Sequence, residues 1–140
     1  MESQSGTIKI LDVRTHGEYV FVGHAPMAFN IPYLLLTTQW NTSTKSYIME
    51  PNPGFVSDVE KKFALQDTIL VMCRSGGRSA SSVNILAEEG FKNVYSIIDG
   101  FEGDVVDDSE SYFNEKRFKN GWKNSGAPWT YELNSDVVYK

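Results

Sequence analysis

The chain has 140 residues, 41% of them hydrophobic, which suits a single domain with an ordinary packed core. Its net charge of −5 argues against a broad nucleic-acid-binding face, and no apolar stretch approaches the roughly 20 residues that cross a bilayer. The polar segment 1–6 lacks the apolar centre of a secretory signal. We therefore expect one domain over residues 1–140, with its core at about 7–130, and neither nucleic acid nor a membrane as a partner.

The first third of the chain predicts two strands, a short helix and a long polar loop. Residues 7–13 are rich in β-branched side chains, which indicates a strand. A short helix is expected at 18–22, closed by Gly23, and a short strand at 29–31. Residues 37–54 are polar and contain two prolines, which predicts a loop of the length that is often functional.

A helix is predicted after this loop. Ser57 is a favourable N-cap residue, and Glu60, three positions later, completes the pattern of a capping box. Val59 and Phe63 are four residues apart, so they share one helical face and are expected in the core.

The centre of the chain predicts a strand, a loop, a helix and a second strand. Residues 68–72 are almost all apolar, as in a parallel strand that helices cover on both faces. The second strand is expected at 94–98. The helix between them ends at Gly90 and has an apolar face made of Ala80, Val83, Leu86 and Ala87. This βαβ unit predicts an α/β fold, a small open sheet of mainly parallel strands flanked by helices.

The last part of the chain is charged and aromatic, with no clear apolar period. We expect residues 104–120 to be an irregular insertion that contains one helix near 109–118. Trp122 and Trp129 are expected to pack back on the body of the domain.

The single cysteine stands where such folds bind ligands. Cys73 follows the strand at 68–72 and precedes the helix, so it lies at the carboxyl end of a buried strand. The first N–H groups of a helix have no intrahelical partners, and with the helix dipole they favour negative charge there. One cysteine excludes an intramolecular disulfide, and an unpaired thiol fits a reducing compartment, so we expect a cytoplasmic protein.

The residues after Cys73 predict a nest of amides around its sulfur. Gly76 and Gly77 allow the backbone to curl so that successive N–H groups converge on an anion. Arg74 and Arg78 add positive charge, and such surroundings lower the pKa of a thiol. A cysteine that only fills the core needs no such neighbours, so we favour a reactive thiolate over a buried apolar side chain.

Several segments together resemble the rhodanese family, in particular its single-domain members. They are, in chain order, residues 11–19, 23–32, 73–79, 99–103 and 121–128, with the patterns L-D-V-R-x-x-x-E-Y, G-H-A-P-x-A-x-N-I-P, C-R-S-G-G-R-S, D-G-F-E-G and G-W-x-x-x-G-x-P. The resemblance spans about residues 8–129, and the combination of segments is far more specific than any one of them.

The resemblance implies a sulfurtransferase of the thiosulfate:cyanide type that needs no cofactor. The thiolate of Cys73 would attack a small anionic sulfur donor, thiosulfate or a persulfide. The persulfide formed on Cys73 would then pass its outer sulfur to cyanide, a thiol or a protein acceptor. Arg74 and Arg78 are the candidates for binding the donor, and the loop amides that would hold the sulfur belong to Arg74, Ser75, Gly76, Gly77, Arg78 and Ser79.

Two other functions fit a reactive cysteine in such a loop. Related phosphatases and arsenate reductases have one residue more between cysteine and arginine, whereas four residues separate Cys73 from Arg78 and make a smaller cradle that suits a single sulfur atom. The alternative that remains is a non-catalytic or redox-sensing module on the same fold, because an accessible thiol of low pKa can be oxidised.

The remaining polar residues have structural interpretations. Arg14 and Glu18 are four residues apart, and we expect them to pair and fix the exit of the first strand. A hydrolytic pair of Cys73 with His24 is conceivable, but the loop already activates the thiol. His16, His24 and Cys73 lack the spacing of metal ligands, so no metal is expected.

Overall fold

The computed structural model describes residues 8–140, so segment 1–7, with the first residue of the first predicted strand, lies outside the described residues. In chain order the elements are β1 (Ile8–Asp12), α1 (His16–Phe21), β2 (Phe29–Asn30), β3 (Leu34–Asn41), β4 (Ser46–Pro51), α2 (Phe55–Lys62), β5 (Thr68–Met72), α3 (Gly77–Glu88) and β6 (Asn93–Ser96). Four strands form a parallel sheet in the order β2-β1-β5-β6. The predicted α/β fold with a mainly parallel sheet is confirmed. Within residues 8–140, no helix is long and apolar enough to cross a membrane.

The sheet is buried on both faces, which explains the apolar run of β5. Ile69 and Val71 pack into one cluster with side chains of α2 and α3. Leu70 and Met72 point the other way, into a second cluster that contains Tyr19 of α1. Because successive side chains of a strand alternate between faces, a strand covered on both sides has no polar positions to alternate with apolar ones.

The second helix begins earlier than predicted. It starts at Phe55, two residues before the expected N-cap Ser57. The turn that starts it is made by Asn52, whose backbone carbonyl accepts a hydrogen bond of 3.1 Å from the amide of Phe55. Val59 and Phe63 are buried in the core, as predicted.

The core face of α3 differs from the predicted one. Ala80 and Ala87 are exposed, whereas Leu86 is buried as expected. The other fully buried positions of this helix are Ser79 and Ser82. Each serine hydroxyl lies within hydrogen-bond distance of a backbone carbonyl three or four residues earlier, so burial leaves neither hydroxyl without a partner. Val83, half-buried against the core, and Leu86 follow the predicted apolar pattern, but a pattern of apolar residues cannot find the two serines.

The prediction of a loop at 37–54 is wrong, because these residues form most of an antiparallel hairpin. Leu36 of β3 faces Met49 of β4, and Trp40 faces Tyr47, with an irregularity in register between the two pairs. The Trp40 and Tyr47 rings meet edge to face at 5.4 Å. All of β4 is exposed, so the hairpin has no buried face to produce the alternation by which a strand is recognised in a sequence.

The segment 104–120 is irregular, as expected, but the predicted helix at 109–118 is wrong. These residues form turns, and Glu115 has a φ of 63°. The amide of Glu115 donates to the carbonyl of Val106 at 2.8 Å, and the amide of Asp104 to Oδ1 of Asn120 at 2.7 Å, which joins the two ends of the segment. Local turn bonds replace a helix here because the sequence offers no apolar face for a helix to bury.

The C-terminal residues return to the body of the domain. Trp122 packs against the second cluster, and the ring of Trp129 lies against Gly23. His24 and Thr130 exchange two backbone hydrogen bonds of 2.9 and 2.8 Å. The expectation that both tryptophans pack on the domain is confirmed.

Candidate active site

Cys73 lies at the carboxyl end of the buried strand β5, as predicted. The residue is 1% exposed and belongs to the first apolar cluster. The loop residues 74–78 that follow it are exposed or half-buried. The thiol is therefore held by the core on one side and lies next to a surface loop on the other.

Two backbone amides converge on the sulfur. The amide nitrogens of Gly76 and Ser79 lie 3.1 and 3.4 Å from Cys73 Sγ. The side chain of Ser79 adds a hydroxyl oxygen 3.6 Å from Sγ. Gly76 has a φ of 120°, and a Cβ at this position would overlap the carbonyl oxygen of Ile98. Only glycine fits this turn, which directs the loop amides towards the sulfur.

These donors decide the charge state of the thiol. Burial raises the pKa of Cys73, but the amide and hydroxyl of Ser79 and the amides of Gly76 and Ser75 outweigh it, so that the pKa is lowered overall. Hydrogen bonds to the ionised form explain this direction, because thiolate accepts them more strongly than a thiol does. For the other amides of the predicted cradle, a role towards a second sulfur atom stays a prediction.

The second arginine of the loop is bound to a helix on the other side of the site. Arg78 Nη1 and Nη2 donate to Oε1 and Oε2 of Glu18 at 2.6 and 3.0 Å. Burial raises the pKa of Glu18, but Arg78 outweighs it and lowers that pKa overall; burial lowers the pKa of Arg78, but Glu18 raises it overall. Both groups are therefore charged. The side chain of Arg74 is exposed.

The expected pair of Arg14 with Glu18 is wrong. Arg14 instead binds Asp12, with Nη2 2.7 Å from Oδ2, and both side chains are fully buried. The Arg14 guanidinium also lies over the Phe101 ring at 4.3 Å. Side chains four residues apart are neighbours only when both belong to a helix. Arg14 precedes the first residue of α1, His16, so it does not face Glu18 in this way.

The segment 101–103 binds the backbone of the loop through hydrogen bonds. The amide of Phe101 donates to the carbonyl of Cys73 at 2.8 Å, and the amides of Glu102 and Gly103 donate to the carbonyl of Arg74 at 3.0 Å. The strand predicted at 94–98 ends at Ser96, so the residues after it leave the sheet and turn towards the loop. This segment holds the backbone of Cys73 but places no side chain on its sulfur.

Ser96 is a neighbour of the site that the sequence motifs did not predict. Its hydroxyl oxygen lies 2.8 Å from that of Ser79, which is itself 3.6 Å from Cys73 Sγ. Ser96 is the last residue of β6, so the rule that placed Cys73 at the carboxyl end of a parallel strand could have found it.

The ring of His24 is held by backbone carbonyls and by an aromatic neighbour. The ring nitrogens of His24 lie 2.9 Å from the carbonyl oxygens of Tyr19 and Glu132, and its ring stacks on that of Tyr19. His24 is therefore engaged by backbone and does not act as a base for Cys73. Among residues 8–140, no group of three or more histidine, cysteine, aspartate or glutamate side chains is placed to hold a metal ion.

Residues 2–105 match the model of the rhodanese-like domain. The chain belongs to the rhodanese-like domain family. Thiosulfate sulfurtransferase 16, chloroplastic, from Arabidopsis thaliana is 38% identical over 93 residues, which cover 66% of this chain and 70% of that protein. The uncharacterized protein RP600 of Rickettsia prowazekii (strain Madrid E) is 33% identical over 122 residues, 87% of this chain and 82% of that protein.

The fold of this rhodanese-like chain is similar to that of a solved structure. The crystal structure of Rv0390 from M. tuberculosis superposes with a TM-score of 0.69 and covers 89% of this chain and 85% of its own. At 24% sequence identity this similarity supports the fold alone. The resemblance to the rhodanese family that the sequence motifs predicted is confirmed by the family match.

Proposed function

We propose that the chain is a sulfurtransferase that carries a sulfane sulfur on Cys73 as a persulfide. The observation that supports this most is the convergence of the Gly76 and Ser79 amides on Cys73 Sγ. These donors favour an anionic sulfur, the state that nucleophilic attack on a sulfur donor requires. Membership of the rhodanese-like family and the named activity of the Arabidopsis relative point to the same chemistry.

The reaction has two balanced steps. In the first, the Cys73 thiolate attacks the outer sulfur of thiosulfate, the S–S bond of thiosulfate breaks, and sulfite leaves with the bonding electron pair. In the second, an acceptor such as cyanide attacks the outer sulfur of the persulfide, and the Cys73 thiolate leaves with the electron pair of the S–S bond. Thiocyanate is the product when cyanide accepts. No redox cofactor is needed, because the oxidation state of the sulfane sulfur comes from the donor.

The proposed donor is a small anion, either thiosulfate or a persulfide, and the acceptor is cyanide, a thiol or a protein. Arg74 is exposed at the loop and is proposed to attract the donor. Arg78 contributes less net charge than its sequence position suggests, because Glu18 neutralises it. A cytoplasmic location is part of the proposal and is supported by the single unpaired thiol.

Cys73→Ser tests the proposal directly. We expect wild-type protein to convert thiosulfate and cyanide to thiocyanate and Cys73→Ser to lose all of this activity, because a serine hydroxyl is not ionised at neutral pH and cannot form a persulfide. Thiocyanate is measured as its coloured iron(III) complex. Ser57→Ala, an exposed change on α2, is the control and keeps full activity.

Mass spectrometry separates this function from an oxidation sensor. After thiosulfate treatment we expect the protein to gain the mass of one sulfur atom, and cyanide to remove it with formation of thiocyanate. Two oxygen atoms have nearly the same mass, so a gain that resists cyanide indicates sulfinic acid. That result, with no thiocyanate produced by any donor, would reject sulfur transfer in favour of the sensor.

A further inference from the structure

The hydroxyl of Ser79 has three polar neighbours but only one hydrogen to donate. Its oxygen lies 3.6 Å from Cys73 Sγ, 3.0 Å from the carbonyl oxygen of Gly76 and 2.8 Å from the hydroxyl oxygen of Ser96. The Gly76 carbonyl can only accept, whereas a serine hydroxyl donates one hydrogen and accepts others. Ser79 is fully buried, so water does not relieve this competition.

The protonation state of the sulfur decides where the Ser79 hydrogen goes. With a neutral thiol, Sγ–H donates to Ser79, and Ser79 donates to the Gly76 carbonyl. With a thiolate, Sγ has nothing to donate, and the Ser79 hydrogen makes a stronger bond to the charged sulfur than to a neutral carbonyl. Ionisation of Cys73 therefore requires the Ser79 hydroxyl to turn towards the sulfur.

The direction of the bond between the two serines follows from this requirement. If Ser79 donated to Ser96, the thiolate would lose its hydroxyl donor. If Ser96 donates to Ser79, the Ser79 hydrogen stays free for the sulfur, and a chain of bonds with one direction strengthens each member. We propose that Ser96 is a positioning residue: it donates its hydroxyl hydrogen to Ser79 Oγ, which keeps the Ser79 hydrogen available to the sulfur of Cys73.

This inference rests on the proposed function and assigns Ser96 to both of its steps. Negative charge sits on Sγ when the thiolate attacks the donor, and again when Sγ leaves as the acceptor takes the outer sulfur. In the persulfide between these steps the charge lies on the outer sulfur, and the Ser79 hydroxyl can return to the Gly76 carbonyl. Loss of the Ser96 hydroxyl should therefore weaken the thiolate at both steps.

The test is the pH dependence of alkylation of Cys73 by iodoacetamide, which measures the thiolate without any sulfur transfer. We expect Ser96→Ala to move the midpoint to higher pH by about half a unit, and Ser79→Ala, which removes the direct donor, by about one unit. The pair Ser96→Thr and Ser96→Val repeats the test with side chains of matched shape that suit a strand. Threonine should restore the wild-type midpoint, and valine should not.

Ser82→Ala is the matched control. Ser82 is another buried serine of α3, but its hydroxyl donates to the carbonyl of Arg78 and makes no bond to Cys73 or Ser79. We expect a loss of stability similar to that of Ser96→Ala and an unchanged midpoint. An unchanged midpoint in both Ser96→Ala and Ser96→Val, or an equal shift in Ser82→Ala, would overturn the inference. If the midpoints shift as expected but the wild-type protein makes no thiocyanate, the proposed function fails and the role of Ser96 in thiolate stabilisation stands.

Discussion

Glu18 performs two tasks with one carboxylate. It completes a capping box with Thr15 at the start of α1, and it holds Arg78 of the active loop. The Glu18 and Arg78 side chains are 20% and 14% exposed, so the pair is only partly screened by water. The residue therefore links the helix after β1 to the loop after β5 and reduces the net positive charge of that loop.

Glu18→Gln should separate these tasks, because glutamine keeps the capping box but loses the charge. The pKa of Glu18 is lowered in the folded protein, so its contribution to stability is present above its ordinary value of 4.5 and is lost as the pH falls through the lower folded value. We expect the variant to be less stable by about 1 kcal/mol at pH 7 and equal to wild type at strongly acidic pH. Urea denaturation at both pH values measures the difference.

Glu18→Gln should also bind thiosulfate more tightly than wild type if Arg78 contacts this donor. With its partner neutral, Arg78 adds net charge near the sulfur, and we expect the KM for thiosulfate to fall about threefold. Glu60→Gln, an exposed change on α2, is the control for both measurements. A KM that rises would mean that Glu18 positions Arg78 for the donor rather than neutralising it.

At the scale of elements, the turn from β5 into α3 depends on one of its two glycines. Gly76 has a positive φ and no room for a Cβ, whereas nothing lies within 4 Å of a Cβ placed on Gly77. The two neighbours were equivalent in the sequence, where each was expected to help the loop curl. The structure shows that Gly76 makes the turn and that Gly77 is the first residue of the helix.

Gly76→Ala and Gly77→Ala form a matched pair. We expect Gly76→Ala to reduce sulfur transfer at least a hundredfold, because the backbone must shift and the sulfur then loses an amide donor. We expect Gly77→Ala to keep activity and to gain up to about 1 kcal/mol of stability, since alanine favours a helix over glycine. Thiocyanate assays and denaturation curves of both variants decide this, and equal activities would contradict the role given to Gly76.

The elements also show where sequence patterns work. Strand β5 was predicted with its observed bounds, because it is buried on both faces and such a strand has an apolar run of this length. The hairpin of β3 and β4 was not predicted. Most of its side chains are exposed to solvent, so its strands lack the alternation of apolar and polar residues that indicates a strand. The buried serines of α3 were missed because backbone carbonyls, which no side-chain pattern reveals, satisfy their hydroxyls.

At the scale of the whole molecule, the C-terminal segment completes the face of the sheet opposite α2 and α3. Val138 packs against the second cluster, and the amide of Asn30 in β2 donates to the carbonyl of Val137 at 2.8 Å. The carbonyl of Glu132 is a partner of the buried His24 ring. A cavity of about 220 Å³ lies between this segment, β2 and α2, away from the loop of Cys73.

Removal of residues 131–140 tests this closing role. We expect the free energy of unfolding to fall by about 2–4 kcal/mol, because the His24 ring and the Asn30 amide lose partners and part of the second cluster meets water. Sulfur transfer at 25 °C should persist, since the groups that lose partners, the His24 ring and the Asn30 amide, lie outside the loop. Denaturation followed by tryptophan fluorescence measures the loss, with removal of Lys140 alone as the control; unchanged stability of the longer truncation would contradict the role.

The sequence alone determined the inner strand β5, the position of Cys73 at its end and the glycine- and arginine-rich loop, because each is set by residues adjacent in the chain. Only the tertiary structure decided which distant groups meet across the site: Arg78 with Glu18, and Ser79 with Ser96. Parallel strands bring together residues that are far apart in the chain, and a charge or hydroxyl pairs with the nearest partner in space. The position of the thiol at the end of its strand was therefore predictable from neighbouring residues, while the side-chain pairs around it were not.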